Sequence, residues 1–303
     1  MNTYYHKLVT AFVTSATLFS SPLVMAVDCG DVITTAETLS EMLNCELSLA
    51  NPYAVTVTGP GGRLTMAEGG EIICDNPNLE GIAGILVNGL SGAVYGGTIT
   101  DCPDGLNLEG DGFHTIDGIM ILNSPREGIV IDSDSNNIVG NQIIDTGNDD
   151  GIDVRGDRNQ IINNYIESAG DQGITVNGVF TLVQLNTVVG STDGDNGIDI
   201  NESNTAVIQN FVTGSASNGI ELNVDVSSTS IIQNIVMENG TNGSPDTAGI
   251  NIAGFNNENN VVVGNTSLDN SAFDLRDPTD PTCSGSNTWI ANTHVTAEPA
   301  CLD

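Results

Sequence analysis

Gly128-Ile129-Val130-Ile131, Gly151-Ile152-Asp153-Val154, Gly173-Ile174-Thr175-Val176 and Gly197-Ile198-Asp199-Ile200 are four copies of one phrase, set 22 to 24 residues apart. The phrase continues in both directions. Gly84-Ile85-Leu86-Val87 and Gly105-Leu106-Asn107-Leu108 precede it. Gly219-Ile220-Glu221-Leu222, Gly249-Ile250-Asn251-Ile252 and Ala272-Phe273-Asp274-Leu275 follow, with one longer step of 30 residues before Gly249. A period of this size marks a repeat architecture. Within each copy apolar residues alternate with others, the period of a strand and not of a helix. Ile129, Ile152, Ile174 and Ile198 therefore turn one way, and Asp153, Thr175, Asp199 and Glu221 the other.

A second column follows at a nearly fixed offset: Asn141, Asn164, Asn186, Asn210, Asn234 and Asn265, each three residues after an Ile or Val. Two or three short strands per repeat, with no helix between them, cannot make a crossover sheet but can wind into a coil. The Asn column then reads as a ladder of amides bonding coil to coil, because buried amides satisfy one another. Each coil rises by one strand spacing, ~4.8 Å, so nine or so recognisable coils make a rod of roughly 45 Å.

This pattern resembles the right-handed parallel β-helix repeat of pectate lyases, polygalacturonases and other secreted proteins, from about Gly84 to Asp277. The expected fold is all-β: a single-stranded right-handed parallel β-helix of about 9–10 coils. Thr34-Thr35-Ala36-Glu37 has the form of a capping box, with Ala36, Leu39, Met42 and Leu43 on one helical face, and predicts a short N-terminal capping helix. The expected organisation is a signal peptide at 1–26, an N-terminal cap with the first coils at 27–80, repeats at 81–277 and a C-terminal cap at 278–303.

The signal peptide reading rests on Lys7, the apolar stretch from Leu8 to Phe19 and the small residues at Val24-Met25-Ala26. It predicts a secreted or periplasmic protein with no membrane span. The six cysteines then read as disulfides, and short loops favour Cys29 with Cys45, Cys74 with Cys102, and Cys283 with Cys301, closing both ends. Beyond residue 26 the bases are Arg63, Arg126, Arg155, Arg158 and Arg276, so a catalytic Lys is excluded. The net charge of −33 excludes nucleic acid and anionic lipid as partners.

Aligned coils place Asp149, Asp171 and Asp195 at one position in three successive turns, beside Glu127 and Asp150 and near Arg126 and Arg155. Two readings stay open: a solvated acidic turn, or a functional cluster whose repulsion raises a pKa or recruits a cation. For the second, Glu127, Asp149, Asp150, Asp171, Asp195, Arg126 and Arg155 are the catalytic candidates. Asp149, Asp150, Asp153, Asp171, Asp195 and Asp199 are the candidate ligands of calcium, the cation that suits oxygen donors; no organic cofactor is expected.

Similarity to polygalacturonase-like hydrolases implies catalytic acids at this same pre-strand position. Asn148-Asp149-Asp150-Gly151 looks like their Asp-Asp element. Pro125-Arg126-Glu127, Gln172, and Asp199 with Asn201 stand where that family carries Asn-Thr-Asp, His, and Arg with Lys, so one element of four matches. The expected function is binding or processing of an extracellular polysaccharide, neutral or weakly charged, through an acidic groove. The alternative is a non-catalytic cell-surface or adhesive protein whose acids serve solubility and cation binding.

His114 and His294 read as structural or surface residues, Trp289 as cap packing. Phe113, Phe180 and Phe255 fall in turns after strands. The excess in the 30-residue step, Met237 to Asp246, predicts a loop overhanging the pre-strand side.

Overall fold

The computed structural model describes residues 26–75, 81–192 and 195–302; the expected signal peptide, apart from Ala26, lies outside them. Three parallel sheets of 12, 11 and 10 strands run the length of the molecule. Each coil contributes one strand to each in turn: Ile129–Ile131 to sheet A, Asn137–Val139 to sheet B and Gln142–Ile144 to sheet C, then Ile152–Val154 to sheet A again. Every strand pairs in parallel with its counterparts one coil away, so Ile129, Ile152, Ile174, Ile198, Ile220 and Ile250 stack in one column. About eleven coils result, a rod of roughly 50 Å.

The core is the interior of this coil. Ile129 and Ile131 from sheet A, Ile138 from sheet B and Ile143 from sheet C are all fully buried, and the same arrangement recurs coil after coil. The glycine that opens each phrase is demanded by close approach. A Cβ on Gly128 would stand 2.5 Å from the Gly151 carbonyl oxygen and 2.5 Å from Ile143 Cγ2, and one on Gly151 would meet Gly173 and Ile166 as closely.

The Asn column is a buried ladder. Asn164 Nδ2 donates to Asn186 Oδ1 (3.0 Å) and to the Ile138 carbonyl (3.0 Å), and its backbone N–H donates to Asn186 Oδ1 as well (2.9 Å). Asn186, Asn210 and Asn234 repeat the pattern, and it ends on Asn292. At the opposite corner Asn136 and Asn159 form a shorter ladder, joined through Asn136 by His114. His114 is buried; its Nδ1 accepts from Gly92 N–H and its Nε2 donates to the Glu109 carbonyl, and burial holds its pKa low.

The N-terminal capping helix is not found: no helix occurs among the described residues. Ala36–Leu39 and Met42–Glu46 are strands of the first coil, paired with Arg63–Met66 and Glu71–Asp75. The spacing of Ala36, Leu39, Met42 and Leu43 suits a helix face, but it also suits two strands separated by a bend. Pairing with the next coil decides between them, since it supplies backbone partners along the whole segment. Leu39 points inward, whereas Ala36 and Met42 are exposed, and Thr35 Oγ1 bonds Glu37 instead of a helix N-terminus. The extra coils over the expected count lie here, where the glycine phrase is missing.

The three disulfides join Cys29 to Cys45, Cys74 to Cys102 and Cys283 to Cys301. No helix of the described residues is long and apolar enough to cross a membrane.

Candidate functional site

The outer face of sheet A carries one row of side chains along the coils. Asn107, Val130, Asp153, Thr175, Asp199, Glu221 and Asn251 follow one another along it, one per coil. They point away from the core, yet all but Glu221 are buried. One flank is the residue before each glycine: Asp104, Glu127, Asp150, Gln172, Asn196 and Asn218. The other follows each strand and includes Glu109, Asp132, Arg155, Asn177, Asn201 and Asn223.

Arg126 and Arg155 organise the upstream half. Arg126 lies 3.3 Å from Asp104 and 3.7 Å from Asp149. Arg155 reaches Glu127 at 2.8 Å, Asp153 at 2.6 Å and Asp132 at 3.5 Å. A cleft of about 270 Å³ opens here, lined by Tyr53, Asp104, Asn107, Glu127, Arg126 and Arg155 among others. Roomier clefts lie at the Met66 to Gln142 corner and at the Phe255 to Asn287 end, but they lack this convergence of buried carboxylates and guanidiniums.

Burial raises the acids of this face. It pushes Glu127 up to about 7, with repulsion from Asp104 and Asp149 adding to it and Arg155 opposing it. It pushes Asp150 up to about 8, with repulsion from Asp153 and Asp149 adding to it and a hydrogen bond from the Gln172 backbone N–H opposing it. Asp104, Asp153, Asp199 and Glu221 are raised as well, burial again leading. Groups of this kind hold protons near neutral pH and can pass them on.

Of the predicted cation ligands, Asp149, Asp150 and Asp171 converge, each offering an oxygen within 4.8 Å of the others. Gln172, with its amide turned toward them, donates to Asp171 (3.0 Å) and Asp150 (2.6 Å). Asp153 is instead engaged by Arg155 and by Asn177 (3.1 Å). Asp199 is held two coils along by Asn196, Asn201 and Asn223, at 2.9 to 3.0 Å. Asp195 lies outside the three-carboxylate group.

Sequence reasoning passed over Asp104, although it precedes Gly105 as Asp150 precedes Gly151. The amides of Asn218, Asn223 and Asn251, which hold Asp199 and Glu221, were also missed. The loop at 238–247 enters sheet A from the predicted side: Gly240 and Asn242 N–H groups bond the Ser215 and Ala216 carbonyls of the preceding turn. Phe113, Phe180 and Phe255 are exposed at the corner between sheets A and B.

Residues 66–194 match the family model described as a right handed beta helix region. The chain is a right-handed parallel β-helix. No curated protein matches it. Among solved structures it is similar to a mutant of the periplasmic alginate epimerase AlgG (16% identity, TM-score 0.68, covering 88% of this chain and 70% of that one). It is also similar to the A-module of the Azotobacter vinelandii mannuronan C-5 epimerase AlgE4 (14%, TM-score 0.52, 86% of each chain). A third likeness is to the Dettilon tailspike protein (16%, TM-score 0.55), of which this chain spans 62% while 86% of its own length is covered. At these identities the likeness is one of fold.

Proposed function

We propose that the groove on sheet A binds and processes an extracellular polysaccharide, with Glu127 and Asp150 as its proton-carrying groups. The observation that carries this reading is the pairing of these two acids in adjacent coils, both raised to the neutral range, with Arg155 bonded to Glu127. Acid–base cleavage needs one carboxyl that gives a proton and one that is ionised. Asp150, the higher of the two, suits the acid; Glu127, held by a guanidinium, suits the base or nucleophile. One coil separates them, ~4.8 Å, nearer the ~5–5.5 Å of retaining than the ~6.5–9.5 Å of inverting glycoside hydrolysis.

The alginate and mannuronan epimerases of similar fold support a polysaccharide as the partner. Their polyanionic substrate does not suit a groove so rich in carboxylates, and a neutral or weakly charged chain fits better. Asp149, Asp150 and Asp171 are the residues that would hold calcium: three hard oxygen donors close together are the set this ion prefers. Export, through removal of residues 1–26, belongs to the same reading.

The test is a panel of neutral and charged polysaccharides, with and without calcium, comparing the parent protein with Glu127→Gln and Asp150→Asn. New reducing ends or unsaturated products that disappear in both variants are expected. Activity unaffected by either substitution removes the site.

The downstream half favours a second reading. Asp199 and Glu221 are held by amides with no guanidinium near, an arrangement for binding without chemistry. Saturable glycan binding with no turnover on any substrate would establish the non-catalytic alternative.

A further inference from the structure

The polar groups of the groove are not evenly matched. Arg126 and Arg155 are engaged by carboxylates, and the amides of Asn196, Asn201, Asn218 and Asn223 donate to Asp199 or Glu221. What remains unmatched on the floor is an acceptor at each end and, midway between them, the Thr175 hydroxyl oxygen, which can accept as well. Asn107 Oδ1 and Asn251 Oδ1 have no hydrogen-bond partner, and the two residues are only 9% and 2% exposed. In each the Nδ2 is anchored on an acid, Asp104 at 3.2 Å and Glu221 at 3.4 Å, which fixes Oδ1 as the outstanding atom. Six coil steps separate the pair, ~29 Å of groove.

An unpartnered buried acceptor seeks a donor. A sugar hydroxyl supplies one but brings acceptor lone pairs of its own. A uronate adds acceptors and negative charge beside Asp104, Glu127 and Glu221. A protonated amine carries three donors and no acceptor, together with the charge the carboxylates lack.

We infer that the groove takes a cationic amino glycan, a polymer of sugars bearing free amines, in preference to neutral or uronate chains. This rests on the polysaccharide reading above and replaces its neutral or weakly charged substrate with a cationic one.

Calorimetry with four hexamers decides it: glucosamine, N-acetylglucosamine, glucose and mannuronate. The glucosamine hexamer is expected to bind about tenfold or more tighter than its N-acetylated form, the worth of one hydrogen bond between charged partners, and to weaken with salt. Asn107→Leu/Asn251→Leu keeps the charge and should lose about tenfold for this ligand. Glu41→Gln/Glu68→Gln, exposed acids at the corner between sheets B and C, should lose nothing. Equal binding of any other hexamer overturns the inference and leaves the polysaccharide reading standing. No loss in the Asn pair, or equal loss in the Glu pair, reduces the effect to bulk charge and also overturns it. Failure of all four overturns it too; the polysaccharide reading then falls only if the broader panel is blank as well.

Discussion

Arg155 Nη2 stands 2.8 Å from Glu127 Oε1, across 28 residues of sequence and one coil of the solenoid. The same guanidinium bonds Asp153 in its own coil at 2.6 Å. Both acids are buried while Arg155 is 45% exposed at its side chain, so one partly solvated cation serves two desolvated carboxyls. Replacing Arg155 with Gln should destabilise the fold by about 1–2 kcal/mol in denaturant unfolding. That is less than the ~3–5 kcal/mol of a fully buried pair, since Glu127 and Asp153 can take up protons instead.

Stability should fall as pH rises from about 4 to about 8. Glu127 and Asp150 have folded-state pKa values raised to about 7 and about 8, so the folded chain binds more protons than the unfolded one across this window. Their contribution is complete below the unfolded carboxylate pKa and is lost as pH rises through the folded values. It amounts to a few kcal/mol. Asp150→Asn should flatten the profile measured by chemical denaturation; a profile as steep as the parent's would contradict the assignment.

Asn186→Ala breaks the amide ladder in its middle. It leaves Asn164 N–H and Nδ2 without their shared acceptor and the Ile161 carbonyl without its donor, a loss of roughly 2–4 kcal/mol. Gln209, whose amide makes an exposed 3.3 Å bond to Gln233, is the internal control; Gln209→Ala should stay within about 0.5 kcal/mol.

Gly173→Ala tests the close approach of coils. Its Cβ would stand 2.3 Å from Val188 Cγ1 and 2.6 Å from the Gly197 carbonyl oxygen. With coils fixed above and below, relief is small, and a loss of about 2–3 kcal/mol in thermal or denaturant unfolding is expected.

Adding calcium should raise the melting temperature of the parent protein and leave Asp171→Asn unchanged, if the carboxylates of Asp149, Asp150 and Asp171 hold the ion. Equal shifts in the two proteins would place any bound calcium elsewhere.

The repeat made the solenoid legible because glycine and alternating Ile and Val are each imposed by a contact that recurs in every coil. Where that contact is relaxed, in the first two coils, the signal vanished and a helical spacing of Ala36, Leu39, Met42 and Leu43 took its place. The column holding Glu127 and Asp150 was readable from alignment on Gly128 and Gly151. Which acids pair with Arg155 was not, since that depends on side-chain directions across a groove. Asp153 shows the difficulty: its spacing put it among cation ligands, and the guanidinium two residues on captures it.

Strands bond only to their counterparts in the neighbouring coils, so the arginine-bearing and amide-bearing stretches of sheet A are held apart by a whole number of turns. Tandem duplication of one segment, such as 152–173, would leave both stretches intact and move them apart by a single ~4.8 Å step. The groove is graduated like a ruler, and the length of chain it reads changes by increments instead of by degrees.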